Sequence, residues 1–284
     1  MIMLNPCSAL AHAIVIGLWL LLTTHSALAS PQGVQSDKLA VPGGIYRWTP
    51  PFGATDIRFN NRPVRHVGDQ VFVGVPLSQT LGDATINYRL NDASLTHAFS
   101  VTNKAYTEQH ITLKNRAMVN PSEEQLARIR RESQRQRALY LQYSEIQSPI
   151  QSFEQPLQGR ISSLFGHRRF FNGEARSPHS GLDIAAPQGS EITAPTNATV
   201  TLVDDLYYNG KTVFLDHGEG LITMYCHLSE PLVTEGERVE QGQIIGLVGA
   251  TGRATGPHLH WSVSLNGYRV DPQSMMAMLN PSAQ

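Results

Sequence analysis

The chain has 284 residues, and its 22 Lys and Arg against 23 Asp and Glu leave a formal charge of −1. Such a balance argues against a protein that holds nucleic acid through its overall field, and no nucleic-acid partner is expected. Only two cysteines occur, Cys7 and Cys226, and Cys7 lies in a segment expected to be removed, so an intrachain disulfide framework is excluded and stability must come from packing.

Residues 13–22 form an apolar run, close to a signal-peptide core and well short of the ~20 residues a spanning helix needs. Ala27-Leu28-Ala29 follows as a small-x-small site, so cleavage before Ser30 is expected. Residues 1–29 are read as a signal peptide, the protein as periplasmic (with secretion beyond the periplasm as the other destination), and the cleaved chain as having no integral membrane span. The segment lacks Lys and Arg, which is unusual for a signal peptide, and an uncleaved short anchor is the competing reading.

Residues 30–118 read as a small antiparallel β domain of sandwich type, with short alternating runs at 56–59, 70–75 and 85–90 separated by Gly, Asn and Pro. Residues 119–148 read as a helical linker. Asn120 is placed to cap, Pro121 suits the first helical position, and Glu123 is expected to reach back as a capping-box acid. The helix is expected to run to about Tyr143, with Arg128, Arg130, Arg131, Arg135 and Arg137 beside a thin stripe of Leu126, Ile129 and Leu139. Its basic face suits an anionic polymer, but a solvated connecting helix is the preferred reading. Residues 149–284, rich in Val, Ile, Thr and Gly, read as strands joined by tight turns. The fold class is therefore mostly β.

Nine histidines follow residue 29, and six of them fall in this last region: His167, His179, His217, His227, His258 and His260. In "TGPHLHW" (255–261) the run continues as a strand, so His258 and His260 project from one face while Leu259 packs the other way. In "SPHSGLDIAAP" (177–187), Pro178, Gly181 and Pro187 rule out a helix, and Gly181 lets His179 and Asp183 converge. Two imidazoles and one carboxylate leave an open fourth position on a tetrahedral Zn²⁺, the arrangement of a catalytic site. Spacing alone does not decide whether His258 or His260 is the ligand. His227, in "YCHLS" (225–229), follows a strand-like run from Leu221 to Tyr225 and is placed to approach from an adjacent strand.

"SPHSGLDIAAP", "YCHLS" and "TGPHLHW", in this chain order, resemble the motifs of the lysostaphin-type (LytM-domain) zinc metallopeptidases. The likeness runs from about residue 159 to 271 and includes "FGHRR" (165–169) and "GERVEQGQIIGLVGATG" (236–252). The resemblance implies an antiparallel β peptidase domain with one Zn²⁺ per chain, held by His179, Asp183 and His260. It also implies that His227 and His258 act catalytically, orienting water and stabilising the tetrahedral intermediate. The expected substrates are peptidoglycan stem peptides and cross-links, with the bond between D-Ala and diaminopimelate as the expected point of hydrolysis. His217 matches a frequent family histidine outside this quintet and is read as structural. "VFVGVPLSQTLGDATINYRL" (71–90) and "KAYTEQHITLKNRAMVNPSEEQLARIRRE" (104–132) resemble the β domain and helix that precede the peptidase in some exported bacterial members.

Two other classes of function fit the sequence less well. A non-catalytic LytM-type regulator that activates another wall hydrolase typically lacks part of the metal quintet, whereas this chain has all five positions. A biotinyl- or lipoyl-like carrier needs an exposed hairpin lysine, and no lysine follows Lys211. Cys226 is read as inert, because alternation along a strand turns it away from His227.

Overall fold

The structure is a computed structural model and describes residues 39–113, 118–145 and 149–280; the expected signal peptide, residues 1–29, lies outside them. It is mostly β. The first region packs two sheets face to face. One is five-stranded, in the order Leu39–Ala40, Ala93–Val101, Gly82–Leu90, Thr55–Phe59, Arg62–Pro63; the other is three-stranded, in the order Ile45–Trp48, Gln70–Gly74, Arg65–Val67. The long hairpin Gly82–Leu90/Ala93–Val101 turns through Asn91 and Asp92, both at positive φ (49° and 64°), the conformation a tight two-residue hairpin requires. Alternation then buries Ala84 and Ile86 against Tyr46, Trp48, Phe59, Val71, Val73 and Phe99.

Helix α1 spans Glu123–Tyr140, and its N-cap is Ser122, not Asn120. Ser122 Oγ accepts from the Gln125 N–H, and Gln125 Oε1 accepts from the Ser122 N–H. This reciprocal capping box outcompetes an Asn120 start that would have used Glu123. The helix also stops three residues before Tyr143. Nor is it simply a solvated connector. Leu139 and Tyr140 are buried against Leu202, Phe214 and Met224, while Arg128 donates to the Asp205 carbonyl (2.7 Å) and Arg135 pairs with Asp204 (2.6 Å).

The remaining residues build an antiparallel eight-stranded sheet. Its path runs Arg160–Ser163, Leu182–Ala185, His258–Leu265, Leu221–Leu228, Gly210–Asp216, Ala198–Leu206, Arg238–Val239, with Tyr268–Val270 paired beside His258–Leu265. One face carries the main core, including Leu182, Ile184, Tyr225, Leu259, Trp261 and Val263, closed by Phe153 stacked on Trp261 and by Met275 of α2 (Pro272–Leu279). The opposite face carries α1 and the polar side chains described below.

The sandwich is fused to this sheet. Ile45 and Phe72 belong to the main core; the Gly74 N–H donates to Asn266 Oδ1 (2.6 Å), and the buried Arg65 donates to the Gly218 carbonyl (2.6 Å). Farther along the chain, Glu108–Ile111 pairs in parallel with Arg168–Phe171, carrying the segment after the sandwich to the edge of the histidine-bearing groove. Among the described residues, no helix is long and apolar enough to cross a membrane.

Candidate metal centre

The centre is set by strand register. Asp183 lies directly opposite His260, and Ala185 opposite His258, so Asp183 and His260 project from the same face of adjacent strands. His179 enters from the preceding loop, which is fixed by backbone bonds from the Gly166 N–H to the His179 carbonyl and from the His179 N–H to the His167 carbonyl (2.8 Å each). Gly181 is required by close approach. A Cβ there would stand 2.8 Å from His260 Nε2 and 2.6 Å from the Trp261 carbonyl oxygen.

His179 Nε2 is 2.9 Å from Asp183 Oδ1 and 3.0 Å from His260 Nδ1, which is itself 2.7 Å from Asp183 Oδ1. The outer nitrogens decide what these distances mean. His179 Nδ1 faces the Leu164 carbonyl (2.7 Å), which can only accept, so the His179 proton sits on Nδ1. Ser262 Oγ donates to the Ser180 carbonyl (2.9 Å) and therefore accepts from His260 Nε2 (3.0 Å). Burial pushes His179 below its ordinary value and His260 down to about 4, so both rings are neutral near pH 7. Two bare imidazole lone pairs and a carboxylate oxygen then converge with no hydrogen between them. Such a cluster repels itself unless a cation lies at its centre, and this donor set suits a divalent metal. Arg169 donates to the other carboxylate oxygen, Asp183 Oδ2 (2.7 Å), a partner that favours the ionised form.

His227 and His258 stand beside this cluster. Their ring centroids are 4.7 Å apart, and His227 is 6.2 Å from His260. His227 Nδ1 donates to the Thr251 carbonyl and His258 Nδ1 to the Gly256 carbonyl (2.8 Å each), so each ring keeps a bare Nε2. Burial, with His258 and His260 nearby, pushes His227 down to about 3. All five side chains line one cavity of about 410 Å³.

The matches to known proteins follow this geometry. The profile of Peptidase family M23 matches residues 177–272. A Pseudomonas aeruginosa crystal structure assigned to peptidase M23 is 37% identical with a TM-score of 0.69, over 85% of this chain and 97% of that one. The chain belongs to peptidase family M23. Two curated relatives are the peptidoglycan DD-endopeptidase ShyC of Vibrio cholerae (42% identical over 118 residues) and the DD-carboxypeptidase/endopeptidase Mpg of Neisseria meningitidis serogroup B (41% over 116 residues). Each match covers 41% of this chain and 27% of the relative, so the chain spans about a quarter of the length of these proteins.

Within the M23 site, the approach of His227 departs from simple alternation. Leu228 pairs with Lys211 and Tyr225 with Val213, so one extra residue is accommodated around Cys226–His227, and His227 adopts φ +64°. The bulge turns His227 into the cavity. Cys226, opposite His260 in register, is on the metal-centre face and not the far one. It is nonetheless sealed beneath α1 with Met224 and Tyr140, and burial pushes its thiol far up. His217 lies below the other face, bonded to the Asn197 carbonyl (3.0 Å) and Thr223 Oγ1 (2.8 Å). The sequence assigns no role to Arg169, Ser262 or Arg269. The first stands in the quoted "FGHRR", but nothing in its spacing reveals that it would meet Asp183.

Proposed function

We propose that this protein is an exported zinc endopeptidase that hydrolyses peptide cross-links of bacterial peptidoglycan, at the bond between D-Ala and diaminopimelate, in the periplasm. The reading rests above all on the three bare ligand atoms of His179, Asp183 and His260 converging beside two histidines with open Nε2 atoms. M23 membership and the relative ShyC, named as a peptidoglycan DD-endopeptidase, support the substrate class, and Mpg, named as a DD-carboxypeptidase/endopeptidase, supports the type of bond.

When bound, zinc would polarise the scissile carbonyl and make a coordinated water acidic near neutral pH. The chain's own residues supply the rest. His179, Asp183 and His260 would hold the ion, with Ser262 and the Leu164 carbonyl fixing the imidazole tautomers and Arg169 the carboxylate. His227 and His258 each offer a bare Nε2 to a water in the cavity. Whichever ring takes the water's proton becomes an Nε2–H donor. It can then bond the developing oxyanion or return the proton to the leaving amine.

The test is digestion of purified cross-linked sacculi, with and without chelator, read by mass spectrometry of the muropeptides. Chelator-sensitive conversion of cross-linked dimers to monomers is expected, and the product masses identify the bond. Intact dimers after incubation with zinc-loaded protein would overturn the reading.

A further inference from the structure

The catalytic cavity does not end at the histidines. Gln136, Ser177 and Arg269 line both it and a second cavity of about 510 Å³, whose wall also includes Arg62, Arg137 and Tyr268. The two cavities therefore adjoin, and the second extends the groove beyond these shared side chains. Its far arm is assembled from the sandwich (Arg62), helix α1 (Arg137) and the strand following the histidine strand (Arg269).

The charge of this arm is one-sided. No Asp or Glu lines it, and among the described residues Arg62, Arg137 and Arg269 form no ion pair. At the catalytic end, Arg169 and Arg176 are each held by a carboxylate, Asp183 and Glu174, while Arg253 stacks 3.9 Å over Tyr208 and donates to the Met118 carbonyl. Two of the free guanidiniums are fixed by stacking. Arg62 lies 4.4 Å over the Tyr268 ring and donates to the Asn266 carbonyl; Arg269 lies 4.0 Å over Tyr140, itself fully buried. Stacking holds the guanidinium plane while leaving its N–H edge free, the geometry that binds carboxylates in pairs of hydrogen bonds. A groove that would only shield apolar surface has no need of three uncompensated cations.

The geometry points to this arm as an anion subsite in which Arg62, Arg137 and Arg269 hold carboxylates of the substrate peptide away from the scissile bond. The inference rests on the peptidase reading above for the identity of the ligand. It gives the sandwich and α1 a direct part in recognition, since neither Arg62 nor Arg137 belongs to the region matched by the family profile.

The experiment uses the zinc-loaded full chain and an uncross-linked stem tetrapeptide, which has no cross-link to cut. Its affinity is measured by calorimetry with side carboxylates free and with the same carboxylates amidated. The wild type is expected to bind the free-acid form about tenfold more tightly. The double variant Arg137→Gln/Arg269→Gln should lose that preference while binding the amidated form as the wild type does. Equal affinities in the wild type, or a preference that survives in the variant, would overturn the subsite. Hydrolysis of the cross-linked dimer is followed separately. Its absence would count against the peptidase reading and leave the carboxylate preference to stand or fall by itself.

Discussion

Asp183 is the residue on which the site converges, with Oδ1 facing two bare imidazole nitrogens and Oδ2 held by Arg169. Removing it leaves two lone pairs and a half-buried guanidinium without its carboxylate partner. Asp183→Ala and His260→Ala are therefore expected to lose zinc and hydrolysis together, with metal content of the purified variants as the measurement. His227→Ala should keep a full complement of zinc, because His227 bonds Thr251 and not the cluster, yet turn over about 10²–10⁴ times more slowly. Zinc loss in His227→Ala would make it part of the metal shell. Cys226→Ser addresses a different point. The thiol shares a face with His260 but is sealed under α1, so the variant should retain most of its activity and all of its zinc.

At the level of elements, Gly181 shows how the loop and the histidine strand constrain each other. Gly181→Ala would drive a methyl group against the His260 ring and the Trp261 carbonyl, both anchored by strand pairing. A drop in zinc affinity is expected with destabilisation of about 1–3 kcal/mol, the usual scale of overpacking; unchanged affinity by competition with a chelating dye would show that the loop can yield. Much of this was legible beforehand. The period of two put His258 and His260 on one face, and the Pro and Gly breaks kept His179 and Asp183 out of a helix. Other features had no local signal. The bulge at Cys226–His227 depends on how Leu221–Leu228 registers against Gly210–Asp216. The helix start was misplaced because Asn120 and Ser122 both cap well, and only the reciprocal bond with Gln125 separates them. The pairing of Glu108–Ile111 with Arg168–Phe171 joins segments about 60 residues apart, beyond any periodicity. The arginine arm is assembled from three regions in the same nonlocal way.

For the whole molecule, the sandwich and the eight-stranded sheet share a core through Ile45 and Phe72, so acid should destabilise them together. His217 is a buried contributor away from the metal centre. Burial pushes it down to about 3, with nearby Arg65 acting in the same direction and the Asn197 carbonyl opposing. An unfolded histidine titrates near 6.5, so between about 6.5 and 3 the unfolded chain binds the proton that the folded chain refuses. Stability from the neutral ring is thus complete above pH 6.5 and declines as pH falls, by up to about 1.4 kcal/mol per unit. His217→Gln cannot take up that proton. The variant should be about 1–3 kcal/mol less stable at pH 7.5, having lost buried hydrogen bonds, but should lose less on acidification to pH 5 than the wild type. Urea unfolding of both proteins with chelator present isolates this effect from metal release, and His227 and His260 contribute equally to the two curves. Parallel losses with pH would mean that His217 takes up its proton in the fold over the same range as in the unfolded chain, so that its burial does not hold the ring neutral.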